Sequence, residues 1–132
     1  MALSKAEIVA ASDIKTEEVP VPEWGGSVAI RQLTALERDA FEQGMVKVRP
    51  DGTREADISN MRARLCSYCI VDAVTGDRLF GDAELGELGN KNGTALDRVF
   101  IAAQRLNAMG ANALKETEKN SEGALSASST SA

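Results

Sequence analysis

The chain has 132 residues, a formal net charge of −5, two cysteines, one tryptophan and no histidine. That length is one domain's worth of chain, and the few aromatics leave a core built mainly from aliphatic side chains and alanine. The missing histidine removes Ser/His/Asp and Cys/His catalysis and most transition-metal sites. The negative field disfavours phosphate backbones and anionic membranes, so neither nucleic acid nor membrane is an expected partner.

Ser4-Lys5-Ala6-Glu7 has the form of a capping box and predicts a short helix over about residues 4–11. In "IKTEEVPVPEWGGSVAIRQL" the Pro20 and Pro22 spacing demands extended chain on an edge strand, and Gly25-Gly26 marks a tight turn. Val28 and Ile30 then alternate with Ala29 and Arg31, so residues 16–33 read as a β-hairpin with Trp24 at its bend. Thr34-Ala35-Leu36-Glu37 is a second capping box, opening a helix over about 35–45 with Leu36, Ala40, Phe41 and Met45 on one face. "KVRPDGTRE" reads as a loop around a Pro50-Asp51-Gly52 turn.

Asp57 or Ser59 is the expected cap of a helix over about 57–72, whose stripe runs through Ile58, Met61 and Leu65. A tight turn follows at Thr75-Gly76-Asp77, then a short helical turn in "GDAELGELG" with Asp82 as cap. The clearest helix covers about 95–108, with Thr94 before it and a stripe of Leu96, Val99, Phe100, Ala103 and Leu106. Gly110 falls where a C-terminal glycine cap belongs. Residues 111–132 turn to Ala, Ser and charge, the composition of a mobile tail. The fold class is therefore α+β: a small N-terminal β-hairpin packed on a mainly α-helical domain over 1–110, with a tail over 111–132.

Candidate chemical sites are thin. Cys66-Ser67-Tyr68-Cys69 has C-x-x-C spacing but lies inside a predicted helix, where redox pairs do not sit, so both sulfurs read as core thiols. Gly86, Gly89 and Gly93 lack the strand and Gly-Lys-Ser/Thr of a phosphate loop. "DAVTGD" lacks the alternating ligands and distal Glu of a calcium loop. No cofactor or metal is implied, and an enzyme ranks last among the readings. The sequon Asn92-Gly93-Thr94 reads as a turn leading into a helix cap. The N-terminus lacks the apolar stretch of a secretory signal, and the cysteines fit a reducing cytoplasm.

The blocks Pro22-Glu23-Trp24-Gly25-Gly26, Arg31 and Leu33-Thr34-Ala35-Leu36-Glu37-Arg38-Asp39-Ala40-Phe41 resemble those of the tail assembly chaperones of long non-contractile-tailed bacteriophages. The similarity runs on through "MRARLCSYCIVDAVTGDRLF", "DAELGELG" and "ALDRVFIAAQRLN", over roughly residues 3–120. The resemblance implies a non-catalytic protein of the host bacterial cytoplasm, absent from the mature virion. It would bind and solubilise the helical tape-measure protein and help recruit tail-tube subunits. A longer product made by programmed frameshift would contact the tube protein, and Glu118-Lys119-Asn120 can be encoded with a slippery A-AAA-AAC heptamer.

The alternative is a minor structural tail or head–tail connector component retained in the virion. Candidate partner-facing residues are Trp24, Arg31, Leu36, Arg38, Phe41, Val99 and Phe100. Weak self-association is a further contact left open. Trp24 reads first as an anchor of the hairpin and second as a partner hot spot.

Overall fold

A computed structural model describes residues 1–109. The α+β expectation is met. Five helices, α1 (Lys5–Ala10), α2 (Ala35–Gln43), α3 (Met61–Cys69), α4 (Leu85–Gly89) and α5 (Gly93–Leu106), accompany five short strands. The predicted tail and the Gly110 cap lie outside the described residues.

The hairpin forms as read. Strands β1 (Thr16–Val21) and β2 (Gly26–Arg31) pair antiparallel, joined by a 3-10 turn over Pro22–Trp24. Gly25 takes φ 80°, a left-handed conformation that glycine reaches at no steric cost. The Gln32 N–H bonds the Lys15 carbonyl at 2.9 Å. Counting on in twos turns the Pro20 nitrogen away from β2, so its missing N–H breaks no ladder bond. One face of the hairpin presents Val19, Val21 and Ile30 to α5, which crosses it and also packs on α3.

Three predicted regions are corrected. The stretch read as a loop is a ribbon of β3 (Val46–Val48) and β4 (Arg54–Ala56), closed by the Pro50-Asp51-Gly52 turn with Gly52 at φ 89°. The helix expected over 57–72 is confined to 61–69. Asp57 ties the Ser59 N–H and hydroxyl in a local turn instead of capping it, and Asn60 holds the cap position at φ 59°. At its other end Ile70–Val71 leaves the helix as β5 and pairs with β2, where two β-branched, fully buried residues pack well. In "GDAELGELG" the cap is Gly81, whose N–H meets the Glu84 carboxylate at 2.7 Å, whereas Asp82 turns to Arg78.

The core gathers Val19, Val21, Ile30, Phe41, Leu65, Ile70, Leu88, Val99 and Phe100, with the α5 alanines filling close approaches. Cys66 and Cys69 are buried, unbridged core thiols, as read. Burial pushes the Cys69 thiol up to about 12 and raises that of Cys66 further, so both stay protonated and unreactive. Among the described residues no helix is long and apolar enough to cross a membrane.

Helix α5 starts and stops differently from expectation. Asn92, not Thr94, accepts the Ala95 N–H. At the far end Met109 N–H bonds the Gln104 carbonyl at 2.7 Å and Ala108 N–H bonds that of Arg105 at 3.2 Å, which is the Schellman arrangement. Its left-handed position is filled by Ala108 at φ 57°. An L side chain there costs about 1 kcal/mol. Ala108→Gly should therefore stabilise the domain by about 0.5 kcal/mol at most in urea unfolding, after the entropy of a freer unfolded chain is deducted.

Candidate partner-binding surface

The two motif blocks turn out to build joints. In the first, Pro22 opens the turn, and the Glu23 carboxylate takes both Arg98 Nη groups of α5 at 2.5 and 2.9 Å. This fork holds the Glu23 carboxyl down at about 2. A parallel pair joins Glu17 to Arg105, two turns further along the same face of α5. Trp24 is half-buried against the core, and the Lys91 ammonium stands 6.0 Å from its ring centre. The hairpin-anchor reading of Trp24 is thus the one its packing supports.

In the second block, Leu33 enters the core while Thr34 and Glu37 exchange backbone bonds in the expected capping box at 2.9 and 3.2 Å. The same Glu37 carboxylate clamps Arg31 through two bonds of 2.7 and 2.6 Å. Arg38 reaches the Asn107 carbonyl at 3.0 Å and caps the end of α5. Asn107 closes the joint from beneath. Its Oδ1 accepts the buried Leu33 N–H at 2.8 Å, and its Nδ2 donates to the Ala103 carbonyl at 2.9 Å. The corner between β2 and α2 is in this way latched to the C-terminus of α5.

The bond from Arg31 is the largest cause that lowers the Glu37 carboxyl to about 2, with the Thr34 N–H adding to it against partial burial. A carboxyl depressed on folding stabilises the native state above its unfolded value of 4.5 and loses that contribution as the pH falls towards 2. Stability is expected to drop across this window, and Glu37→Gln should flatten the drop while lowering stability at pH 7. Urea midpoints taken between pH 7 and 2 measure both.

Of the seven candidate residues, Phe41, Val99 and Phe100 belong to the core and are not exposed to an incoming protein. Arg31 and Arg38 are committed to the joint. Leu36 departs from its expected core face, as does the exposed Ala40 beside it. Only Phe41 of α2 is buried, and Leu36 stands 83% exposed. Next to it lies a cleft of roughly 370 Å³ whose walls include Asp13, Ile14, Leu33, Ala35, Arg38 and Asn107.

Two further apolar elements were not foreseen as contact surfaces. Helix α1 buries no residue at all and leaves Ile8 and Val9 in solvent, where Leu3 just before it also lies. The β3–β4 ribbon is exposed along its length and shows Val46 and Val48 on one face, with Ile58 beyond it. A six-residue helix and an isolated two-stranded ribbon are each marginal alone in water. Their signal in the sequence was local apolar content without a partner stripe, which periodicity cannot distinguish from core. Among the described residues no three His, Cys, Asp or Glu side chains gather as a metal site.

These features define a small α+β domain with rigid latched joints and apolar outworks at Leu36, α1 and the β3–β4 ribbon. The chain belongs to the phage tail assembly chaperone family, whose model matches residues 3–120. The resemblance read in the two motif blocks is thereby borne out. No curated relative and no solved structure matches the chain.

Proposed function

We propose that this chaperone binds the tape-measure protein in the host cytoplasm, keeps it soluble while tail-tube subunits are recruited, and is absent from the finished virion. The observation that carries the reading is the set of apolar side chains left without cover, Leu3, Ile8, Val9, Leu36, Val46 and Val48, on an otherwise charged domain. A long helical client exposes apolar stripes, and a helix laid against apolar side chains buries both surfaces. The net charge of −5 keeps such a complex dispersed. A frameshift-extended form carries the contact with the tube protein. Its slip site at Glu118-Lys119-Asn120 lies outside the described residues, and AAG at Lys119 in the gene would remove it.

Co-expression with the tape-measure protein from the same gene neighbourhood tests the proposal. A client that is insoluble alone should elute with this chain as a large complex in size exclusion. Detection of the chain in purified virions by mass spectrometry would instead favour a retained structural component.

A further inference from the structure

We propose that Asn92 is a site of spontaneous deamidation, gated by the helix cap that it forms. Among the described residues Asn92 is the one asparagine followed by glycine. It lies exposed in the short connection between α4 and α5, and a Cβ built on Gly93 would meet nothing within 4 Å. Gly93 also occupies the first position of α5, where a backbone N–H has no acceptor within the helix. A nucleophilic amide nitrogen without a side chain beside it therefore adjoins a carboxamide carbon one five-membered ring away.

In the reaction the Gly93 nitrogen attacks Asn92 Cγ, loses its proton, and expels the side-chain nitrogen as ammonia, closing a succinimide. Water then opens the ring at either carbonyl. Attack at Cγ leaves aspartate, and attack at the main-chain carbonyl leaves isoaspartate, with the chain running through the former side chain. The net change is amide plus water to carboxylate plus ammonium, and no electrons are transferred.

The fold opposes the first step. Asn92 Oδ1 is held by the Ala95 N–H at 2.9 Å, and its carbonyl by the Leu96 N–H at 2.9 Å. Asn92 sits at φ −55° and ψ 128° with its carboxamide oxygen engaged at the helix start. The first turn of α5 must therefore open before the ring closes, and the rate follows that local opening. The aspartate product keeps an oxygen for the cap and suits the positive end of the helix. The isoaspartate product adds a backbone methylene at the cap and loosens it.

The test incubates the full chain at mildly alkaline pH, folded and in denaturing urea, beside a Gly93→Ala variant treated alike. Gly93 does not take a positive φ and has open space, so the variant fits the fold. Trypsin releases residues 92–98 between Lys91 and Arg98, and fragment masses locate the exchange of NH₂ for OH. The expected result is conversion at Asn92 in urea at least about tenfold faster than in the folded chain, each tenfold marking about 1.4 kcal/mol of opening. The Gly93→Ala chain should react severalfold more slowly in urea. No conversion at Asn92 in urea, or an undiminished rate in Gly93→Ala, would overturn the site. Equal folded and unfolded rates would overturn the gating.

Discussion

Replacing Asn107 with alanine is expected to lower the unfolding free energy by about 3 kcal/mol, because a buried backbone donor then loses its acceptor. Asn107 is 7% exposed, yet it serves three elements at once. It receives the Leu33 N–H from the β2–α2 corner, donates to the Ala103 carbonyl of α5, and places its amide 3.6 Å from the Cys69 sulfur of α3. Alanine leaves the Leu33 N–H and the Cys69 thiol facing a small void. The corner carries Thr34, Leu36 and Glu37, so its loosening should also appear as faster amide exchange at the start of α2. Urea unfolding followed by circular dichroism gives the number, and a loss below about 1 kcal/mol would mean that water replaces the side chain without penalty.

Trp24→Ala should cost about 3 kcal/mol, the lower range for an aromatic removed from a packed site, since the indole is only half-buried. The indole contributes through its apolar faces. Its Nε1 is buried and has no hydrogen-bond partner among the described residues. Trp24→Phe should therefore retain most of the stability, as it also removes an unmet N–H. The measurement is again the urea midpoint of both variants. An unchanged midpoint in Trp24→Ala together with lost client binding would reverse the reading and make Trp24 a contact residue.

Local chemistry made much of this fold legible. Paired glycines after Pro-Glu-Trp fixed the hairpin, and the spacing of Leu96, Val99, Phe100 and Ala103 gave α5 its buried stripe. The two capping boxes at Ser4 and Thr34 appeared as read, because each needs only four consecutive residues. What stayed hidden depends on contacts across the chain. Ile70 and Val71 continue a helical apolar pattern, and only the free edge of β2 draws them out as a strand. The Glu23–Arg98 and Glu17–Arg105 forks join residues 75 and 88 positions apart, for which sequence spacing holds no signal. The role of Asn107 likewise depends on Leu33, 74 positions away, lying against it.

The candidate surface was less legible than the fold, for a physical reason. Apolar periodicity reports that a side chain prefers cover and does not report whose cover it finds. Val99 and Phe100 find it within the domain, whereas Leu36, Ile8 and Val46 do not. Charged residues of the motif blocks are spent on internal joints: Glu23 and Arg38 tie the hairpin and α2 to α5, and Arg31 and Glu37 tie β2 to α2. They keep the frame in place and leave the contact to less distinctive neighbours.

Hydrogen exchange on this chain, alone and in the complex co-purified with the tape-measure protein, tests that division of labour most directly. Protection gained over α1, the start of α2 and the β3–β4 ribbon, with α5 and the Pro22–Gly26 turn unchanged, is the result expected. Protection gained at the turn and along α5, with the exposed apolar elements still exchanging freely, would contradict the account and move the client onto the latch itself.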